Sequence, residues 1–419
     1  MSEITLAFVA LVAINFAVRY GLCQRQIASV QHHIAQVPSA FRDSISLPDH
    51  QKAGAYTTAK MRLNQTQLLV ESAWLLALTL GGGIDLLYGW ALNLSPADSP
   101  ILSGLVFLAL LGIASGALDL PFGIYRQFVL EARFGFNRMT PALFVTDLIR
   151  GTVVGALIAL PIVSLLLWLL QSAGPMTWLW AWLGWMSFNA LLLFLYPVLI
   201  APLFNKFTPM PASAHKEKLD ALLKQVQFTA SGLFVMDGSR RSAHANAYFT
   251  GFGHHRRIVL FDTLINQLTP DQLEAVLAHE IGHYKRKHLP KRLLSMALIS
   301  LVLLWALFQL LQAPWFYQDL GVHFANPATA LALFSLTMPL CLLPLSPLSN
   351  AFSRKHEYEA DAYAAEQSNA QELINALVTM YRENAATLTP DSIYSLFHDS
   401  HPPAALRVAH LQMKAHPAS

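Results

Sequence analysis

Seven long apolar stretches constrain the fold of this 419-residue chain more than any other feature. An α-helix needs about 20 apolar residues to cross the hydrocarbon core of a bilayer, and each stretch reaches or approaches that length. The composition agrees, because 54% of the residues are hydrophobic and only 13% are charged. We therefore predict an all-α membrane protein with about seven transmembrane helices. They run at about Ile4–Val18, Leu68–Trp90, Ile101–Leu118, Gly151–Leu170, Trp178–Leu203, Leu293–Leu311 and Ala328–Leu345.

Connecting segments that contain lysine and arginine alternate along the chain with connecting segments that contain neither. Gly21–Gln67 and Asp119–Asp147 are rich in them, whereas the loops near 91–100, 171–177 and 312–327 contain none. The positive-inside rule then predicts an N-terminus outside the membrane. It also places the basic segments, the region 205–290 and the C-terminal tail in the cytoplasm. Arg19 follows the first stretch and no basic residue precedes it, so we interpret that stretch as a retained helix rather than a cleaved signal.

The remaining region 205–290 has the pattern of a small soluble domain. It contains an amphipathic helix and three short runs typical of strands, at Lys216–Phe228, Leu233–Asp237, Asn246–Phe252 and Arg256–Asp262. His254 and His255 fall in a turn joining the last two runs, where solvated polar residues are common. We therefore divide the chain into a membrane domain, 1–205, with five transmembrane helices, and an α+β domain, 206–419. The second domain carries two further spans, at about 293–311 and 328–345.

The chemistry of that second domain is indicated by His279-Glu280-Ile281-Gly282-His283, an H-E-x-x-H pattern in a run of helical periodicity. Residues four apart share a helix face, so His279 and His283 can bind one Zn²⁺ ion. Glu280 is then placed to take a proton from a zinc-bound water. The two cysteines lie far apart in the sequence, at 23 and 341, so a cysteine-based zinc site is excluded.

A third ligand is predicted from the segment that follows the seventh stretch. Glu357 and Asp361 are four residues apart and share a face. A catalytic zinc takes three protein ligands and keeps one position open, so Glu357 is the predicted third ligand. Asp361 is placed to hold a ligand imidazole by its other N–H. Glu359 is expected to face away, and His356 is the rival third ligand.

His401 lies farther along and precedes two prolines. Spacing alone leaves two interpretations open for it: a donor to the oxyanion of a tetrahedral intermediate, or a residue of a surface loop.

Taken together, these segments resemble the type 1 CAAX prenyl endopeptidases, integral-membrane zinc metalloproteases of the HExxH…ExxxD type that remove the C-terminal tripeptide of prenylated proteins. The resemblance extends over most of the chain. It rests on HEIGH at 279–283, SRKHEYEADAYA at 353–364, HDSHPPAALR at 398–407, GSRRSAHANAYFTGF at 238–252, RRIVLFDTLI at 256–265, FVLEARFGFNRMT at 128–140 and YPVLIAPLFNKFTPM at 196–210. The shorter membrane quality-control proteases share only the zinc motifs and lack the large N-terminal membrane half.

The resemblance implies a fold and a set of roles. Seven helices would form a hollow barrel whose chamber holds the metal site near the cytoplasmic face. His279, His283 and Glu357 would bind one Zn²⁺ ion per chain, and Glu280 would activate water. Asp361 would be an acid beside the ligands, of the kind often assigned as a proton donor. His401 and Arg407 would line the site, His401 stabilising the oxyanion. Asn246 and Ala247 would lie on an edge strand that pairs with the substrate backbone. The loop 312–327 is short and the C-terminus AHPAS is not a retention signal, so we expect a bacterial inner-membrane enzyme.

The sequence therefore predicts an integral-membrane zinc metalloendopeptidase of the CAAX-processing type. Its partners would be the lipid bilayer and a peptide or protein substrate, prenylated or not. A net charge of +3 gives no support for a nucleic-acid partner. Two alternatives stay open. One is a quality-control protease for membrane proteins without CAAX preference. The other is a non-enzymatic transporter with a structural zinc, which is disfavoured because such a zinc needs a fourth protein ligand.

Overall fold

The structure is a computed structural model that describes residues 1–171, 174–250 and 256–415. Its first part consists of helices and their connections, without a strand in the described residues. Two π-helical turns, Arg126–Glu131 and Tyr196–Ile200, continue helices α4 and α7. The helices are α1 Glu3–His32, α2 Leu47–Leu78, α3 Gly83–Leu94, α4 Pro100–Tyr125, α5 Ala132–Phe134, α6 Pro141–Gln171, α7 Thr177–Leu195 and α8 Ala201–Phe204.

The second part combines helices with a small sheet. Its strands are β1 Phe207–Pro209, β2 Gly232–Met236, β3 Ala247–Thr250 and β4 Arg257–Phe261. The helices are α9 Ala214–Gln225, α10 Asp262–Gln267, α11 Pro270–Lys285, α12 His288–Leu311, α13 Pro314–Gln318, α14 Pro327–Leu342, α15 Ser346–Gln367, α16 Ala370–Glu383, α17 Ser392–His398 and α18 Ala404–Ala415.

Among the described residues, six helices are long and apolar enough to cross a membrane. The predicted span Leu68–Trp90 is instead divided between α2 and α3, which are inclined by 61°. The bend follows from three successive glycines. Gly82 has a φ of +75°, and a Cβ at Gly81 would lie 2.7 Å from the carbonyl oxygen of Ala77. The number of spans is thus six, or seven if the bent pair counts as one, which agrees with the prediction.

The segment Gly21–Gln67, predicted as a connecting segment, is largely helical. Helix α1 continues beyond the first apolar stretch to His32, and α2 begins at Leu47, where Ser46 caps it by accepting a hydrogen bond from the Asp49 amide. Polar residues compatible with a helix extend both helices past the apolar core, which hydropathy alone does not reveal. The seventh span likewise runs without a long break from α14 through a 3₁₀ turn at Leu343–Leu345 into α15.

The sheet is mixed, with the strand order β1-β2-β4-β3. Strands β3 and β4 pair antiparallel, as predicted for a hairpin, with Ala247 opposite Leu260. The predicted turn at His254 and His255 lies outside the described residues. Strand β1 was not predicted, because three residues are too short for a clear periodicity. β3 occupies one edge of the sheet, so only one of its sides is paired with another described strand.

The two parts of the chain are joined by a network around Arg241, which we call the Arg241 junction. Its guanidinium donates two hydrogen bonds to Asp147 of α6, at 2.8 and 3.1 Å. It also donates to the Asn205 side chain at 3.0 Å and to the Phe204 carbonyl at 2.6 Å. These partners explain why conspicuous polar residues occur in the membrane half: they hold the peptidase half in place.

A second contact joins the halves beside β3. Glu131, in the π-helical turn after α4, accepts a hydrogen bond from Tyr56 at 2.5 Å. Its other oxygen lies 3.5 Å from Nε2 of His244, whose ring stacks on Phe136. The amide of Ala243, shortly before β3, donates a hydrogen bond to the Phe136 carbonyl at 3.1 Å. The membrane half thus contacts the backbone that leads into the edge strand.

Candidate active site

Helix α11 carries the H-E-x-x-H residues. It begins with a capping box, in which Thr269 accepts from the Gln272 amide and the Gln272 side chain accepts from the Thr269 amide. This pairing satisfies two otherwise free N–H groups, and Pro270 in the first turn costs no hydrogen bond. The segment from Leu273 to Gly282 is almost wholly buried. The helix therefore holds His279 and Glu280 rigidly inside the protein.

Helix α15 supplies the facing residues. Glu357, Ala360, Asp361 and Ala364 follow the helical spacing of three and four, and all four are buried on one face. The two helices approach closely at Gly282. A Cβ there would lie 3.0 Å from both the Cα and the carbonyl oxygen of Ala360. The glycine is thus required for the distance between α11 and α15.

Gly282→Ala is expected to push α11 and α15 apart and to destabilise the protein by about 1–3 kcal/mol, the usual cost of overpacking. Bound metal should fall with it, because the ligands come from both helices. Thermal unfolding and metal analysis of the purified protein measure the two effects. Gly155→Ala is the matched control, since a Cβ there meets no atom within 4 Å. Equal melting temperatures and metal contents for the two variants would contradict this account.

His279, His283 and Glu357 form one cluster. Nε2 of His279 lies 3.2 Å from Nε2 of His283, and the two Glu357 oxygens lie 3.5 and 3.4 Å from these nitrogens. One ligand atom from each of the three residues falls within 4.8 Å of the others. The predicted rival His356 is not in this cluster and stacks on His288 instead, at 4.1 Å.

The proton pattern of the cluster fits a metal ion. Nδ1 of His279 lies 2.8 Å from an Asp361 oxygen, which can only accept, so the imidazole carries its proton on Nδ1. Its Nε2 then points a lone pair at Nε2 of His283. Glu357 Oε2 is buried without a hydrogen-bond partner. Two lone pairs and an unsatisfied carboxylate oxygen facing one another are unfavourable unless a cation lies between them.

Asp361 is itself held by Arg407. The guanidinium donates from Nε and Nη2 to the two carboxylate oxygens, at 2.9 and 2.5 Å, and all groups are buried. Such a two-point pair fixes the carboxylate in orientation as well as in charge. Nη1 of Arg407 also lies 3.7 Å from Glu357. The Arg407 side chain therefore positions both the acid that orients His279 and the third candidate ligand.

His283 is oriented by His288 and Glu359, for which the sequence pattern indicates no role at the site. Its Nδ1 lies 2.9 Å from Nδ1 of the buried His288, and Nε2 of His288 lies 2.9 Å from Glu359. A carboxylate only accepts, so neutral His288 carries its proton on Nε2 and accepts on Nδ1. His283 then donates from Nδ1 and keeps its Nε2 lone pair for a metal. Glu359 faces away from the ligands, as expected, yet acts on one of them through His288.

His288→Phe is expected to lower metal affinity by about 10–100-fold, the usual effect of removing a group that orients a ligand imidazole. Competition with a graded series of chelators measures this independently of activity. Glu359→Gln should weaken affinity less, because the amide oxygen still accepts from His288. His32→Phe, an exposed substitution on α1, is the control. An unchanged affinity in His288→Phe would show that His283 is oriented by other means.

Glu280 points into a cavity of about 330 Å³ beside this cluster. Within the described part of the chain its carboxylate makes no hydrogen bond or ion pair. Burial raises its pKa above the ordinary value for a glutamate. A free carboxylate with a raised pKa is suited to accept and return a proton.

The same cavity collects most of the predicted site residues. Seven of the nine line it, namely Asn246, Ala247, His279, Glu280, Glu357, His401 and Arg407. Nε2 of His401 lies 3.5 Å from Glu357, so the loop carrying it reaches the metal cluster. Ala247 begins the edge strand β3 and Asn246 precedes it. Tyr381 and Asn384 also line the cavity; neither belongs to a recognisable motif, so sequence patterns alone do not indicate them.

Comparisons with known proteins agree with this architecture. Residues 26–206 match the family model described as CAAX prenyl protease N-terminal, five membrane helices. Residues 209–415 match Peptidase family M48.

Related sequences come from distant organisms. A CAAX prenyl protease 1 homolog of Arabidopsis thaliana is 37% identical over 76% of this chain and 75% of its own. CAAX prenyl protease 1 of Saccharomyces cerevisiae is 36% identical over 75% of this chain and 73% of its own. These shares leave about a quarter of each chain outside the alignment.

The structural comparison extends over nearly the whole chain. The crystal structure of S. mikatae Ste24p superposes with a TM-score of 0.91 at 31% identity, over 98% of this chain and 99% of that one. The predicted fold class is thereby confirmed, with its membrane helices and small sheet. The chain belongs to peptidase family M48 and is a multi-pass membrane metalloendopeptidase of the CAAX prenyl protease 1 type.

Proposed function

We propose that the metal is zinc, one ion per chain, held by His279, His283 and Glu357. The observation that carries this proposal is the cluster in which two imidazole Nε2 atoms and one unpartnered carboxylate oxygen face one another. Two imidazoles and one carboxylate are the donor set of many catalytic zinc sites, in which a fourth position stays open. Zinc would supply Lewis-acid chemistry here, by lowering the pKa of a water molecule and polarising a peptide carbonyl.

Glu280 is the proposed general base. Its free carboxylate accepts a proton from the attacking water as the oxygen forms a bond to the carbonyl carbon. The same carboxylate then returns the proton to the amide nitrogen as the C–N bond breaks. His401 donates an N–H to the carbonyl oxygen while negative charge develops there. Asp361 and Arg407 act through His279 and Glu357, by holding these side chains in place.

The edge strand β3 is the proposed platform for the substrate backbone. One side of β3 pairs with β4, and in the sheet of the described residues no strand lies on its other side. An extended peptide can therefore add along Asn246 and Ala247 as a further strand. Backbone pairing gives affinity without selecting side chains, which suits an endopeptidase.

We propose a C-terminal segment of a prenylated protein as the substrate, cleaved three residues from its end. The support comes from the relatives named CAAX prenyl protease 1 and from the match of the membrane half to their N-terminal domain. A membrane-embedded enzyme is also suited to a substrate that carries a lipid anchor.

The proposed arrangement in the membrane follows the charge distribution. We propose a membrane domain 1–205 and a peptidase domain 206–419, with the N-terminus outside and the metal site on the cytoplasmic side. The family matches, which end at 206 and begin at 209, support this division. The segment between α12 and α14 is short, which suggests the compact form of a bacterial inner-membrane enzyme.

A competition assay tests the substrate class. A farnesylated peptide with a free C-terminus and an unprenylated fragment of a membrane protein are offered together to the protein purified in detergent, and both products are quantified. Preferred cleavage of the farnesylated peptide three residues from its end supports the proposal. Equal cleavage of both would support a quality-control protease instead. Zinc content measured on the same sample tests the identity and number of the metal ions.

A further inference from the structure

A second cavity of about 330 Å³ adjoins the active-site cavity. The two share Tyr381, Ala386 and His401 in their walls. The second cavity extends toward the membrane half, where α1 and α2 contribute Gln26, Thr57, Lys60 and Met61. A peptide held at the metal cluster can therefore continue past His401 into this space.

Lys60 is the cationic group of the second cavity. It is half-buried on α2, and its Nζ lies over the ring of Tyr56, 4.1 Å from the centroid. Within the described part of the chain it makes no hydrogen bond or ion pair. By contrast, Arg407, which lines the active-site cavity, is hydrogen-bonded to Asp361. Lys60 is thus available to an anion that enters from outside.

The acidic groups near Lys60 do not remove this availability. Glu131 attracts Lys60 but forms no ion pair with it in the described residues, and its two oxygens instead face Tyr56 at 2.5 Å and His244 at 3.5 Å. Asp399 lines the same cavity but forms no ion pair with Lys60. Burial raises the pKa of Asp399, which reduces its competition with an incoming anion.

We propose that the second cavity binds the three residues released from the substrate, and that Lys60 pairs with their terminal carboxylate. This inference rests on the proposed removal of a C-terminal tripeptide. An enzyme that cuts at a fixed distance from a chain end must recognise that end, and its one constant feature is the carboxylate. Three extended residues span about 10 Å, which sets the distance between cleavage and anchor. Met61, Pro390 and Pro402 supply apolar walls for their side chains.

Matched peptides test the pairing. Two substrates differ only in ending with a carboxylate or a carboxamide, and each is given to wild type, Lys60→Met and Lys60→Arg. Wild type is expected to favour the acid by about 10–100-fold in kcat/KM, mainly through KM, since a hydrogen bond to a charged group contributes about 1.5–3 kcal/mol. Lys60→Met should cleave the acid as slowly as the amide, and Lys60→Arg should restore the preference.

Lys52→Met is the matched control, because Lys52 also lies on α2 over an aromatic ring, Phe136, but does not line this cavity. It should keep the wild-type preference for the acid. Equal metal content and melting temperature in all variants would show that the fold is intact. Cleavage of both peptides by wild type without preference, or a preference that survives Lys60→Met, would overturn the proposal.

A binding measurement separates this inference from the proposed function. The Glu280→Gln protein and its Lys60→Met derivative are titrated with fluorescent acid and amide peptides, and anisotropy gives both affinities without cleavage. Tighter binding of the acid that is lost with Lys60→Met supports the carboxylate anchor even if wild type cleaves neither peptide. Equal affinities for acid and amide would overturn the anchor even if cleavage occurs.

Discussion

Glu280→Gln is expected to reduce cleavage by about 10²–10⁴-fold, the usual contribution of a general base. The amide has nearly the same shape but cannot take a proton from water. It should leave metal content at the wild-type level, because Glu280 is not in the His279, His283 and Glu357 cluster. Hydrolysis of a quenched-fluorescent peptide and metal analysis of the same preparation measure both quantities.

Glu274→Gln is the matched control for this prediction. Glu274 lies on the same helix, and its carboxylate is 3.7 Å from Lys218, away from the cavity. Its replacement should leave cleavage within about twofold of wild type, since a surface ion pair contributes about 1 kcal/mol or less. Cleavage at the wild-type rate by Glu280→Gln would remove the general-base role. Loss of metal in that variant would mean that Glu280 supports the metal site instead.

Glu357→Gln is expected to abolish retention of the metal. The substitution replaces a charged candidate ligand by a neutral amide and leaves two imidazoles to hold the ion. The loss of affinity should exceed the 10–100-fold expected when an orienting group is removed. After dialysis against a mild chelator, the variant should contain almost no metal and show no activity. Metal analysis before and after dialysis gives the measurement.

Two further variants on α15 serve as references for metal retention. Glu366→Gln, an exposed change on the same helix, should retain metal and activity. Glu359→Gln should lie between the two, because it acts on His283 through His288. The order expected is therefore Glu366→Gln, Glu359→Gln, Glu357→Gln, from strongest to weakest retention. If Glu357→Gln keeps its metal as well as Glu366→Gln does, the third ligand lies elsewhere, and His356 would be tested next.

Local spacing predicted the parts of the site that lie on one helix. His279 and His283 are four residues apart, as are Glu357 and Asp361, and helical geometry alone places each pair on a shared face. Periodicity also located the apolar stretches, because hydrophobicity is a property of each segment by itself. The roles of these residues in metal binding and catalysis stay predictions until the variants are measured.

The residues that were missed depend on long-range packing. His288 contacts Glu359 across 71 positions of sequence, and Asn384 reaches Ala245 across 139. Gly282 looks like any helical glycine until α15 is placed against it. The bend between α2 and α3 was hidden for a different reason: the hydropathy of the stretch stays high through the three glycines, so a broken span and a continuous one have the same profile.

The Arg241 junction has a consequence for how the enzyme can be prepared and engineered. Three of its four hydrogen bonds end on helices of the membrane half, at Asp147 of α6 and Phe204 of α8. In a peptidase half cut away near residue 205, the Arg241 guanidinium would lack its partners Asp147 and Phe204. The strand platform lies a few residues beyond that arginine. We therefore expect the protease not to be modular: a soluble catalytic fragment would be a poor substitute for the whole enzyme in inhibitor screens.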